Sequence, residues 1–481
     1  MSNYQIILKL ISSRISYPPL PPRPLCKEKT YSSYRCDVVS TPSSNVFNDI
    51  TLRRIHKEVA EEREEHTLLT SIFQLLSRNE NMHICFTMYP LEYYSPVSGG
   101  ALATITYELA KPLIAAGYRV TVLSPSKGDS FYDVGTVVQI AGCRREDIPF
   151  IRRAICKLEE MRRCWDIPYY RVYRKSIVKV LRSLPTPPDV VVLFNDLASA
   201  QFVEQAVPKA RVFVDLQNEN RTRQRDFAAA DRCVEKYVAC SQYIKDWTVR
   251  QYNIPAERIA VLQSGIDLDT FFPRPDYLEP IAKPRVLFIG RVDPNKGPDI
   301  AADAVAALRK EGIEIDLTVA GGTWFYGHNS ADPYLLKLIE KVKAAGGKYI
   351  GPVGRRDVPA LIRQHDIAFV LSRSSEPFGL VVLEAMASGL AVIASNRGGL
   401  PEACGGAAKL VDPDNFQAVL SYLRELATDT EALRMAKRRS LARAAECAWE
   451  RRADELLEMI GGVGAGNSIS AGHGATAPND Q

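Results

Sequence analysis

The stretch that decides the fold is IAFVLSRSSEPFGLVVLEAMASGLAVIAS, residues 367–395. It opens on a continuous apolar run, IAFVLS (367–372), and closes on another, LAVIAS (390–395). Runs of that length bounded by turn signals read as strands buried on both faces. Between them Pro377 and Gly379 set a sharp turn, so a helix should begin near Leu380. Strand, turn, helix and strand make one crossover of a parallel sheet.

The same unit recurs along the chain. Upstream, HICFTM (83–88), YRVTVLS (118–124), VVVLF (190–194), VFVDL (212–216) and VEKYVAC (234–240) read as strands. A proline-rich linker, FFPRPDYLEPIAKP (271–284), is followed by RVLFIG (285–290), IDLTVAG (315–321) and KYIG (348–351). Helical patterns fit between them. One is ALATITYELAKPLIAAG (101–117), which Gly117 should end and Pro112 should kink or shorten. An α/β fold of two consecutive doubly wound halves follows. A chain of 481 residues is too long for one hydrophobic core, which agrees.

The ends differ. SYPPLPPRP (16–24) favours polyproline II, and Ile50–Leu76 carries a charged helical pattern. The tail GGVGAGNSISAGHGATAPND reads as disordered. The expected organisation is an extension over 1–80, a first Rossmann-like domain over 81–272, and a second over 273–440. A helix over 441–460 and a disordered tail over 461–481 complete it.

Net charge is +5, which does not suggest a nucleic-acid partner. Ten cysteines show no CxxC pair and no metal-ligand spacing, so reduced thiols and a cytoplasmic location are expected. No run of about 18 apolar residues exists to cross a membrane.

In open parallel sheets, ligands bind beyond the carboxyl ends of the strands. After IAFVLS, free amides from Phe378 to Val381 suit an anion, with Glu376 before the helix and Glu384 one turn inside it. Carboxylates repel phosphate but accept from hydroxyls, so sugars suit them. A solvated Glu376 and a Glu384 that serves only the helix dipole is the plainer alternative. After RVLFIG come Arg291 and Lys296, two cations suited to a diphosphate, although taken alone they read first as solvated surface charges. After HICFTM, Gly99 and Gly100 precede a helix. They fit a tight turn as well as a ligand's close approach. Asp267 and Asp269 spell DxD, a metal motif elsewhere, but here they read as linker capping and no metal is expected.

In order, SGGA, GID with F and P, GR with KG, and EPFGLVVLEAMASGLAVIA resemble family 4 of the retaining glycosyltransferases. The likeness covers roughly 82–460. It implies the GT-B fold: two Rossmann-like domains facing across a cleft, with the last helix crossing back onto the first. It implies that Arg291 and Lys296 bind the donor diphosphate, that Glu376 contacts the donor sugar, and that Glu384 contacts the ribose. Backbone amides near Phe378, Gly379 and Leu380 would meet sugar or phosphate, with Gly100 under the diphosphate. It implies no cofactor beyond a nucleoside-diphosphate sugar donor. It also implies a glycan, lipid-linked or small-molecule acceptor, with the leaving phosphate taking the acceptor's proton. A sugar phosphorylase or epimerase, or a non-catalytic nucleotide-sugar-binding or structural protein, would use the same fold. Where many members carry His in the first domain, this chain offers Asn195 and Asp196, and further on Gln217 and Asn218.

Residues 144–182 hold twelve Lys/Arg, five acids, Trp165, Tyr169, Tyr170 and Tyr173. Solvated helix faces over buried aromatics explain this best. Peripheral contact with anionic lipid at the inner membrane face is the second reading.

Overall fold

The computed structural model describes residues 82–97, 99–125, 130–142, 168–222, 224–323 and 330–461. The expectations for 1–80, for the tail beyond Gly461, and for Trp165 and the Tyr169 side chain lie outside these residues.

Within them the first sheet runs β3-β2-β1-β4-β5-β6-β7, all parallel. Its strands are β1 (His83–Thr87), β2 (Arg119–Ser124), β3 (Thr136–Gln139), β4 (Val190–Phe194), β5 (Arg211–Leu216), β6 (Lys236–Ala239) and β7 (Ile259–Val261). The second sheet, also parallel, runs β10-β9-β8-β11-β12-β13. It is built from β8 (Arg285–Ile289), β9 (Asp316–Ala320), β10 (Lys348–Gly351), β11 (Ile367–Val370), β12 (Ala391–Ser395) and β13 (Lys409–Val411). The predicted strands are present, each within two residues. Short β3, β7 and β13 were not foreseen.

Six helices matter below: α1 (Ala101–Ala115), α2 (Pro168–Ser183), α3 (Gln242–Tyr252), α4 (Leu380–Ala387), α5 (Thr430–Ala445) and α6 (Trp449–Gly461). Pro112 does not end α1. It stands in the last turn, where its missing N–H forfeits one bond, and its carbonyl accepts from Ala116 N at 2.9 Å. Gly117, at φ +91°, then closes the helix, with Tyr118 N donating to Leu113 O at 3.1 Å.

The helix expected over 441–460 is broken at 446–448, between α5 and α6. There Ile266 N donates to the Cys447 carbonyl at 2.7 Å. Past the break, Trp449, Ala453, Leu456 and Ile460 lie on one face of α6. They pack with Ile84, Phe86, Leu109 and Val192 in the first domain's core, so the chain crosses back. In the second domain the buried Asp366 carboxylate gathers Arg274, Arg285 and Lys437 at 2.6, 2.9 and 3.0 Å. These cations hold it well below the usual carboxylate range. The linker, a sheet strand and α5 are tied together there.

Candidate active site

In the second sheet the strand order reverses between β8 and β11, which opens a crevice at their carboxyl ends. The loops leaving these strands carry residues 296 and 376, eighty apart in sequence. Lys296 Nζ and Glu376 Oε1 form an ion pair, and Ser372 Oγ donates to the same oxygen at 2.6 Å. The loops are pressed together by backbone: Arg373 N donates to Asn295 O at 2.7 Å. Gly297 lies at φ +69°, and a side chain there would come within 2.3 Å of the Leu371 carbonyl. Arg291 Nε pairs with Asp293, whose Oδ1 accepts from Asn295 N at 2.8 Å.

The turn before α4 is held from behind. Gly399 N donates to Glu376 O at 2.6 Å. The Phe378 side chain is buried, so that residue offers the cleft only its backbone. Gly379, at φ +107°, and then Leu380 begin α4 as the turn chemistry predicts. Glu384 is 3% exposed, and its Oε1 meets Arg355 Nη1 at 2.6 Å. That carboxylate holds the guanidinium proton more tightly than usual. Arg355 also lies over the Phe271 ring, 5.6 Å from its centroid.

In the first domain the expected residues have partners of their own. A side chain on Gly99 would meet the Ser95 carbonyl at 2.3 Å, and one on Gly100 the Glu92 carboxylate at 2.8 Å. Glu92 Oε1 accepts from Ala103 N at 3.0 Å, so a carboxylate of this chain already stands at the start of α1. Asn195 adopts φ +52°, and its Oδ1 accepts from Gln217 N at 2.8 Å. Asp196 is turned inward. It is buried against Arg174 at 3.4 Å and accepts from Ser199 Oγ. Gln217 Nε2 donates to Asp215 Oδ1 at 2.7 Å, and burial pushes the Asp215 carboxyl up to about 7.

The described histidines, His83 and His365, are buried and hydrogen-bonded within the fold, and burial lowers both below the ordinary imidazole value. Asp267 accepts from Asp269 N and Thr270 N at 3.0 and 3.2 Å, a turn cap, and pairs with Lys111 at 3.3 Å.

Sequence reasoning missed Glu92, Ser372, Arg355, Ser241 and Glu402. Ser241 carried one usable signal, a Ser between a strand and a helix. The others acquire partners only through the fold.

Comparison with known proteins follows the same two halves. Residues 99–270 match the family model described as Glycosyltransferase Family 4, and residues 272–445 match Glycosyl transferases group 1. The chain belongs to the group 1, family 4 glycosyltransferases. Over 381 residues this glycosyltransferase is 25% identical to spore coat protein SA of Bacillus subtilis, covering 76% of this chain and 95% of that protein. It is 33% identical over 270 residues to a D-inositol 3-phosphate glycosyltransferase of Streptomyces avermitilis, 52% of this chain and 54% of that one. The match thus spans about half of that relative's length. Anabaena HepE, solved with UDP and glucose, shares the fold at TM-score 0.60 and 18% identity, over 79% of this chain and 100% of that one. The architecture is GT-B, with two parallel-sheet domains.

Proposed function

We propose that this glycosyltransferase moves a hexose from a nucleoside-diphosphate sugar to a glycan, lipid-linked or small-molecule acceptor, with retention and without a metal. The observation that carries this reading is the convergence of Lys296, Glu376 and the start of α4 at one switch point, with Arg291 on the Lys296 loop. A sugar hydroxyl donating to Glu376 places the attached phosphate beside the Lys296 ammonium. Charge developing on the leaving diphosphate is then met by that cation, by Arg291 and by the α4 start. Glu384 Oε1 is engaged by Arg355, and the second carboxylate oxygen suits a ribose diol. A cleft between two domains excludes water when closed.

A cytoplasmic setting is part of this proposal, with electrostatic contact at an anionic membrane face. The support is the exposed stripe Lys175, Lys179 and Arg182 on α2. Of the aromatics in that expectation, Tyr173 is fully buried and Tyr170 is half-buried against Tyr89, so these two do not serve it, while Trp165 and the Tyr169 side chain lie outside the described residues. Flotation with anionic vesicles tests the contact, and absence of binding counts against it.

The bonding of Asn195 and Asp196 within their own domain favours one second reading, a non-catalytic nucleotide-sugar-binding protein. The deciding experiment is nucleoside-diphosphate release from UDP-, GDP- and ADP-sugars, with Glu376→Ala alongside. Release from one donor that the variant abolishes supports the transferase. Tight nucleotide binding with no release from any donor, even with acceptors supplied, supports the second reading.

A further inference from the structure

A helix leaves its first backbone amides without partners inside the helix. At the start of α3 these amides are satisfied by two different domains. Ile244 N donates to Ser241 Oγ at 3.1 Å, an ordinary N-cap within the first domain. Gln242 N and Tyr243 N donate to the two oxygens of Glu402, at 2.6 and 2.8 Å. Glu402 belongs to the second domain, four residues beyond Gly398. Its negative charge stands at the positive end of α3.

Ser241 reaches the other way. It is 0% exposed, and its single hydroxyl proton goes to the Pro377 carbonyl at 2.6 Å. Pro377 lies between Glu376 and the amides of Phe378 and Gly379. The same carbonyl is backed by Gly399, where a side chain would approach it to 2.2 Å. The turn is therefore clamped between Gly399 of its own domain and Ser241 of the other.

We propose that Ser241 and Glu402 are positioning residues that hold the Pro377–Gly379 turn in its donor-binding form across the domain interface. Neither touches the donor. Ser241 fixes the turn directly, while Glu402 fixes the helix start that carries Ser241. This rests on the donor reading above and adds to it that the first domain shapes a site whose ligand contacts lie in the second.

The test titrates UDP, GDP and ADP into the full chain and into Ser241→Ala and Glu402→Ala by calorimetry. Asp429→Ala is the control, because exposed Asp429 caps α5 in the same chemistry, taking Glu431 N and Ala432 N at 2.9 and 3.0 Å. Each interface variant is expected to bind the preferred nucleotide about fivefold more weakly, the worth of the one hydrogen bond, Ser241 to the Pro377 carbonyl, through which both residues act on the turn. Asp429→Ala should lower the Tm and leave Kd unchanged. Should Glu402→Ala not fold, Glu402→Gln keeps the shape but loses the charge and one of the two acceptors, its NH2 facing a backbone N–H, and is expected to weaken binding by about two- to fivefold. Interface variants that lose Tm but keep the wild-type Kd would overturn the positioning role and leave the donor reading intact. A wild type that binds none of the three nucleotides would overturn the donor reading, and this inference with it.

Discussion

Arg355 Nη1 lies 2.6 Å from Glu384 Oε1, the carboxylate one turn inside the helix that follows the Pro377–Gly379 turn. The carboxylate is nearly fully buried and the arginine partly exposed, so solvent screens part of their attraction. Removing the cation leaves a buried charge with one partner fewer. Arg355→Ala is expected to destabilise the chain by about 1–2 kcal/mol, lowering the Tm by a few degrees. Scanning calorimetry measures this, and an unchanged Tm would show that the pair contributes nothing to folding.

Lys296 and Arg291 are assigned to the diphosphate because their loop leaves the strand beside that of Glu376. Loss of one preorganised charge donor costs about 3 kcal/mol of barrier, roughly a hundredfold in turnover. Lys296→Ala should therefore show kcat reduced about a hundredfold with a smaller change in KM. Arg291→Ala should follow in the same direction. Initial-rate kinetics with the active donor decide it, and a variant that keeps wild-type kcat removes that residue from the catalytic set.

Gly398 stands at φ +64°, and a Cβ there would lie 2.2 Å from the Glu376 carbonyl and 2.6 Å from its amide nitrogen. Neither backbone atom can yield without moving Glu376 itself. Gly398→Ala should thus act on both levels. Strain in the left-handed region and the collision together should cost about 1–3 kcal/mol of stability, and donor binding should weaken as Glu376 shifts from Lys296. Paired measurements of Tm and nucleotide Kd test this. Tolerance on both counts would mean that the NRGGLPE loop does not set the turn.

Much of this arrangement was readable from residue order, and the reasons are physical. Long apolar runs bounded by turn residues fix buried parallel strands, so β1, β4, β8 and β11 were plain. Strands β3, β7 and β13 are edge strands of three or four residues, mostly not buried, and lack the six-residue apolar run that marks β11. Lys296 and Glu376 could be placed together because both immediately follow strands, and strand ends share one edge of a sheet. Glu92, Arg355 and Glu402 could not. Glu92 and Arg355 lie in loops and Glu402 in the short helix Leu400–Cys404, where solvation is the default for a charge, and each gains its role from a partner 11 to 160 residues away. The inward turn of Asp196 was hidden for the same reason. Its partner Arg174 lay in a stretch that reads as a solvated basic face.

Asp215 supplies a prediction about pH. It sits at the end of β5, its carboxyl is buried, and Gln217 Nε2 donates to it without neutralising it. Burial raises its pKa from the ordinary 3.8 to about 7. Between those values the folded chain holds a proton that the unfolded chain has released. Stability therefore falls as pH rises through this window and levels off above it. Asp215→Asn keeps the acceptor for Gln217 and abolishes the titration. The variant should be nearly as stable as wild type at about pH 4 and more stable at pH 8, by on the order of 4 kcal/mol at full ionisation. Denaturant unfolding of both proteins across this range gives the difference directly. A gap independent of pH, or one that closes as pH rises, would show that Asp215 is already ionised and solvated in the folded chain.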